Sequence, residues 1–210
     1  MADAPGWYGK LPALGDFARR RLPPGFIEPW DEWLRQGLAA SRAALGQDWL
    51  AHYLGASVWR FVLLPGIIGP DAWAGVLLPS VDRVGRYFPL TVCAGLPAAA
   101  PLGRSLAGLD GWLTALERSA LLGLDPDHGL ERLESALLNG PKVPLAPASR
   151  DETATPPAFL DALAVQVLAQ SLAGRTLWWS PHAQGANAGF VEHGLPRPER
   201  HAELLRGRPD

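Results

Sequence analysis

The chain has 210 residues, of which 48% are hydrophobic, and this is enough to bury one sizeable core in a single domain. Its 19 basic and 21 acidic side chains give a formal net charge of −2. This balance argues against a general nucleic-acid binder, because such binding requires many Lys and Arg contacts to phosphates. Cys93 is the only cysteine, so no disulfide can form within the chain.

No segment is expected to enter or cross a membrane. The most hydrophobic stretch, residues 58–80, is interrupted by Arg60, Pro65, Pro70 and Asp71 before it reaches the length of a bilayer-spanning helix. Residues 1–25 also lack the basic segment and the apolar run of a signal peptide.

The N-terminal segment predicts a short strand, Trp7 to Leu11, followed by an irregular stretch that ends at Pro23. Lys10 follows a glycine, as in a phosphate-binding loop, but the upstream glycine and the Ser or Thr of that motif are missing. Lys10 and Asp16 either pair with each other or contact a partner. The basic run 19–21 predicts a solvated turn.

Large side chains then recur every three or four residues, which predicts a helix with one buried face that ends at Gly46. A buried face is favoured over a cofactor-binding stripe, because core helices routinely show this pattern. The stripe consists of Phe26, Trp30, Trp33, Leu34, Leu38, Ser41 and Leu45.

Three apolar, β-branched or aromatic runs follow and predict strands at Trp59 to Leu64, Trp73 to Leu78 and Tyr87 to Ala94. Short connections favour antiparallel neighbours. The last two strands are joined by the polar segment Ser80 to Arg86, which contains Asp82 and Gly85. This loop either bonds to itself, with Asp82 capping the turn, or presents Ser80, Asp82 and Arg86 to a partner.

The predicted order along the chain is a strand, a helix, three consecutive strands, helices and closing strands, so the fold class is α/β. We expect a single three-layer domain over residues 1–210, with a mixed, largely antiparallel sheet and helices on both faces. Adjacent Trp178 and Trp179 should face opposite sides of a strand. The predicted elements are helices at Leu102 to Leu122, Pro126 to Leu138, Pro157 to Leu172 and Glu199 to Leu205, strands at Thr176 to Trp179 and Ala188 to Val191, and a Pro-rich surface loop at 140–157.

No catalytic, metal-binding or cofactor-binding residue is predicted. The chain has no G-x-S-x-G, H-E-x-x-H, C-x-x-C or dinucleotide fingerprint. Of its five histidines, only His182 and His193 could meet, across the last two strands, and a metal site needs three or four donors. Ser80 with Asp82 suggests a fragment of a hydrolase site, but no histidine is tied to them as a base.

Three ordered blocks carry a resemblance that extends over nearly the whole chain. They are G-K-L-P-x-x-G-D-F at Gly9 to Phe17, P-W-D-x-W-L at Pro29 to Leu34, and P-S-V-D-x-V-G-R-Y-F-P-L at Pro79 to Leu90. With the later Leu177 to Ser180, these blocks resemble the TagF (ImpM) family of type VI secretion-associated proteins. The resemblance implies a cytoplasmic protein of Gram-negative bacteria that restrains the type VI apparatus after translation, through the forkhead-associated scaffold protein Fha.

Two functions from different classes follow. The first is a regulatory binding protein that docks the scaffold and needs no active site; its candidate partner-binding residues are Lys10, Asp16, Arg20, Ser80, Asp82 and Arg86. The alternative is a small hydrolase or phosphate-recognising module centred on Lys10, Ser80, Asp82 and Arg86. If these four side chains share one concave pocket with a strongly perturbed titrating group, the enzyme is favoured, whereas a flat or convex patch favours binding.

Overall fold

The computed structural model describes residues 4–96, 102–140, 142–143, 172–181 and 189–206. Nearly all of the predicted helix Pro157 to Leu172 and of the predicted loop 140–157 lies outside these residues, as does His182. The described strands form one seven-stranded sheet in the order β2-β1-β5-β4-β3-β6-β7. They are β1 (Gly6–Gly9), β2 (Ala18–Arg20), β3 (Trp59–Leu63), β4 (Ala72–Leu78), β5 (Leu90–Leu96), β6 (Arg175–Trp179) and β7 (Gly189–His193).

Every neighbouring pair of strands in this sheet is antiparallel. Helices cover both faces, so the predicted α/β class and layer arrangement are confirmed. The helices are α1 (Pro24–Leu45), α2 (Trp49–Leu54), α3 (Leu102–Leu122), α4 (Gly129–Asn139) and α5 (His201–Arg206). The prediction gave α3 its observed bounds and placed the start of α4 three residues too early, at Pro126 rather than Gly129.

Helix α1 begins at Pro24, a favourable residue for a first turn, and its predicted stripe is buried from Phe26 to Leu45. The stripe packs on the first face of the sheet with α2 and α5. Helix α2 was missed because a helix of six residues is too short to give a periodic signal; its Trp49 and Tyr53, four residues apart, are both buried.

The central strands supply a core on each face because successive side chains alternate. Phe61 and Leu63 of β3 pack on the first face, whereas Val62 packs on the second face with α3 and α4. Trp178 lies in the first core and Trp179 packs against the second, as predicted.

One charged side chain of the central sheet enters the second layer, and its charge is compensated there. Arg60 of β3 is 4% exposed. Its guanidinium lies 2.9 Å from Glu117 and 2.7 Å from Asp110, both on α3. These ion pairs fix α3 across the middle of the sheet, because a buried charge without a partner would be strongly destabilising.

Strand β2 corrects the prediction of an irregular segment with a solvated basic turn. Ala18 to Arg20 pair with β1 in the register Gly9↔Ala18, Tyr8↔Arg19 and Trp7↔Arg20. The strand ends at Arg20, and the next residue, Arg21, has a φ of 58°, which is uncommon for a residue with a side chain. Three residues with two arginines have little β propensity of their own, so the pairing with β1 decides their conformation.

Candidate functional site

Two loops leave the same end of the sheet. The first, residues 10–17, joins β1 to β2, and the second, residues 80–86, lies between β4 and β5. Strand β5 pairs with both β1 and β4, which brings the loops together. Gly9 permits their close approach: with a φ of 139°, a β-carbon there would lie 2.1 Å from the Pro89 carbonyl oxygen.

A buried ion pair connects the loops at their centre. Lys10 Nζ donates to Asp82 Oδ2, and the two side chains are 4% and 0% exposed. The other carboxylate oxygen of Asp82 accepts the main-chain N–H groups of Val84 at 3.1 Å and Arg86 at 2.9 Å. Asp82 therefore caps its own loop, as one of the two interpretations of the sequence predicted.

The protonation of Asp82 reflects these contacts. Burial by itself raises the pKa of the carboxyl, but hydrogen bonds from Lys10 and from the main chain and side chain of Arg86 outweigh it. The pKa consequently lies well below its ordinary value, and Asp82 is a carboxylate at neutral pH. This shift belongs to a closed ion pair and does not provide a general acid or base.

The polar groups of Ser80 also form hydrogen bonds within the protein. Its Oγ donates to the Lys10 carbonyl oxygen at 2.7 Å, and the side chain is buried. Its main-chain N–H donates to the Tyr53 hydroxyl at 3.0 Å, and that hydroxyl donates to the Ser80 carbonyl oxygen at 2.8 Å. Burial raises the pKa of Tyr53, so this phenol stays neutral and continues to donate.

Arg86 and Asp16 lie at the outer rim. The Arg86 guanidinium is 2.7 Å from Asp82 through Nε, and Nη2 donates to the Gly15 carbonyl oxygen. Asp16 lies 3.7 Å from Arg86, and its side chain is 81% exposed. The first loop is thus tied to the second by Arg86 and by the Lys10–Asp82 pair, and Lys10 pairs with Asp82 rather than with Asp16.

Arg20, the remaining predicted residue, lies apart from this cluster. It projects from β2 toward α4, where its Nη1 is 3.1 Å from Glu134 Oε2. Glu134 also accepts two hydrogen bonds of 2.8 Å from Arg21 and one of 2.6 Å from Trp7 Nε1. The Arg21 hydrogen bond is the main reason that the pKa of Glu134 falls to about 2. Sequence reasoning missed Glu134, because nothing local distinguishes it from other helix glutamates.

The outer surface of the two loops exposes apolar and cationic side chains that the sequence did not single out. Phe17 is 46% exposed and Val84 is 65% exposed. Phe17 packs edge-on against Phe88 with 4.7 Å between ring centroids, and Lys10 Nζ lies 4.5 Å from the Phe17 centroid. Arg83 is exposed, and its main-chain N–H donates to the Leu14 carbonyl oxygen at 2.8 Å. The result is a pair of loops joined by hydrogen bonds, with an exposed aromatic ring on a partly basic surface.

The described residues contain no group of three or more His, Cys, Asp or Glu side chains arranged to hold a metal ion. In the same part of the chain, no helix is both long enough and apolar enough to cross a membrane.

Comparison with known proteins identifies a family. Residues 6–139 match the model of the TagF N-terminal domain, described as type VI secretion system-associated. The crystal structure of PA0076 from Pseudomonas aeruginosa PAO1 superposes with a TM-score of 0.80 at 40% sequence identity, over 99% of this chain and 96% of that chain. A comparison with curated proteins gave no significant match. Because the family model covers both loops and the sheet strands β1 to β5, the chain belongs to the TagF N-terminal domain family of type VI secretion system-associated proteins.

Proposed function

We propose that this protein is a cytoplasmic negative regulator of the type VI secretion system that acts after translation, by binding an Fha-type scaffold protein rather than by catalysis. Membership of the type VI-associated family supports a role in this secretion system. The observation that carries the binding mode is the division of the loop pair into a closed interior and an open exterior. Lys10, Ser80 and Asp82 are all 5% exposed or less, whereas Phe17 and Val84 are 46% and 65% exposed.

The buried residues hold the two loops in the conformation that presents the proposed binding surface. The Lys10–Asp82 pair and the Arg86 hydrogen bonds hold both loops in one conformation, so docking does not have to order them. Lys10, Ser80 and Asp82 therefore act by positioning the loops. The direct contacts come from Asp16 and Arg86 among the predicted residues, together with Phe17, Arg83 and Val84; Arg20 lies to one side.

The surface has the chemistry of an interface for an acidic partner. The exposed charges of this surface are the guanidinium groups of Arg83 and Arg86 and the carboxylate of Asp16, so it is net positive. Aromatic residues and Arg are enriched in interfaces, and this surface exposes the Phe17 ring together with Arg83 and Arg86. An acidic, partly apolar patch on the scaffold would complement it.

The internal contacts of Ser80 and Lys10 argue against the hydrolase or phosphate-recognising alternative. A serine nucleophile needs a base that accepts its proton, but Ser80 Oγ donates to a main-chain carbonyl. A phosphate-recognising module needs open cations, but the Lys10 ammonium is buried against Asp82. The four residues do lie together, yet only Arg86 of the four is open to solvent.

The proposal is tested first in cells. Deletion of the gene should raise type VI output, and overproduction should silence it while the amounts of the structural components, followed by immunoblot, stay constant. A fall in those amounts that accounts for the silencing would place the action at synthesis and contradict the proposal.

The surface is tested with purified proteins. Val84→Asp and Arg83→Glu should each weaken binding of the scaffold by about 2 kcal/mol in calorimetric titration, since losses at interface centres reach that size. Leu138→Asp and Arg118→Glu are matched controls, because Leu138 is 60% exposed and Arg118 is exposed, and both lie on helices of the second face. Equal affinity of the loop variants and the controls would remove this surface from the interface.

A further inference from the structure

We propose that the outer edge of β2, with the groove between β2 and α1, binds an extended acidic segment of the protein partner as an added β-strand. This inference rests on the proposed function, because it describes how the partner protein would bind next to Phe17. The mode combines main-chain pairing along an edge strand with a side-chain pocket next to it.

The first observation is the position of β2 at one end of the sheet. Among the described strands, β2 pairs only with β1. Alternate residues of an edge strand direct their N–H and C=O groups outward, where another extended chain can pair with them. Arg19 faces the α1 side, since its neighbours Ala18 and Arg20 contact the second layer.

The second observation is an open groove of about 430 Å³ directly beside this edge. Its apolar wall is formed by Tyr8, Phe17 and Ile27. Tyr8 and Ile27 are buried, whereas Phe17 stacks on Tyr8 and is 46% exposed. Because side chains of a docked strand alternate, one apolar side chain would enter the groove while its neighbours point away.

The charge of the edge strand indicates the kind of segment. The carboxylates of the groove lining lie on its helix side: Asp31, which pairs with Arg35 and accepts the Tyr8 hydroxyl, and the exposed Glu28. Arg19 is exposed and has no ion-pair partner among the described residues. It lies on the strand that the segment would pair with, whereas Arg20, 52% exposed, points to the other side and pairs with Glu134. A carboxylate in the added strand would pair with Arg19.

The same arginines explain why this edge does not pair indiscriminately. Short length and charged side chains are the usual protection of an edge strand against non-specific association. Three residues with two arginines meet both conditions and disfavour basic or neutral apolar strands. An acidic extended segment would instead be favoured, because its carboxylate can pair with the exposed arginine of the edge strand.

The experiment uses the full chain and the purified Fha-type scaffold protein. Arg19→Glu should weaken binding at least tenfold while leaving the thermal midpoint unchanged, and Arg118→Glu should leave both unchanged. Hydrogen exchange should show slower exchange of main-chain amides within residues 17–21 when the scaffold is added. Reversal of the interacting acidic residue of the scaffold to lysine should restore affinity for Arg19→Glu.

The other outcomes show whether strand addition, the proposed function or both are wrong. Normal binding by Arg19→Glu, without amide protection at 17–21, would overturn strand addition and leave the regulatory role standing. No binding of the scaffold by the parent protein would overturn both. Self-association of the parent protein that Arg19→Glu abolishes would assign the edge to a second copy and overturn the proposal of an acidic partner segment.

Discussion

The Asp82 carboxylate accepts hydrogen bonds from Lys10, from Arg86 and from the main chain of its own loop. Most exposed ion pairs contribute little to stability, because solvent screens them and the side chains lose entropy. This pair differs because both side chains are removed from water. If one partner is lost, the other becomes a buried charge without compensation.

We expect Asp82→Asn to lower the midpoint of urea unfolding clearly, because Lys10 would remain buried without a counter-charge. Asp16→Asn is the matched control on the same loop pair and should change the midpoint little, since Asp16 is exposed.

The parent protein should also lose stability as the pH falls below the ordinary carboxyl pKa of 3.8, because the folded-state pKa of Asp82 is lower and the unfolded chain takes up the proton first. An acid response that is unchanged in Asp82→Asn would contradict this assignment.

At the scale of elements, α5 is held against α1 by a buried histidine. His201 is 2% exposed and packs edge-on against Trp33 with 5.6 Å between ring centroids. Gly37 of α1 makes the contact possible, since a β-carbon there would lie 2.4 Å from His201 Nδ1. Burial lowers the pKa of His201 to about 4, so the imidazole is neutral in the folded protein.

We predict that the free energy of unfolding falls as the pH is lowered from 6.5 to 4, by about 3 kcal/mol in total. The sign follows because the unfolded chain binds a proton at its ordinary pKa while the folded chain does not. Urea unfolding at a series of pH values measures the effect. His201→Gln should flatten this part of the profile, and the exposed His193→Gln should retain it; equal profiles for the two variants would contradict the prediction.

At the scale of the whole molecule, a few long-range contacts connect the sheet edge to the second helical layer. Glu134 on α4 binds Trp7 of β1 and both arginines at the end of β2. It thereby holds the short edge strand, which has few contacts of its own, and presents Arg19 toward α1. The proposed docking edge therefore depends on a residue in another layer.

Glu134→Gln should lower the free energy of unfolding by about 2–3 kcal/mol, because Arg21 would lose its charged partner in a partly buried position. Amides of β2 should exchange faster than those of the central strands β3 and β4. Glu131→Gln on the exposed side of the same helix is the control and should change stability by less than about 0.5 kcal/mol. Unchanged exchange in β2 would show that the strand is held by β1 alone.

The sequence by itself determined the features that depend on local spacing. The three-to-four residue stripe of α1 and the alternation of Trp178 and Trp179 follow from helix and strand periods, and both were predicted correctly. The predicted strands β3 and β4 and the antiparallel pairing also follow from apolar runs with short connections. Self-capping by Asp82 was one of two interpretations, because an aspartate favours turns through bonds to nearby main chain.

Only the tertiary structure decided which distant residues meet. Lys10 pairs with Asp82, 72 positions away, and Trp7 contacts Glu134, 127 positions away. The strand character of β2 likewise comes from its pairing with β1, and the exposure of Phe17 and Val84 comes from how the two loops pack. Propensity and periodicity describe a chain over one or two turns, whereas burial and charge pairing depend on which segments the folded sheet brings together.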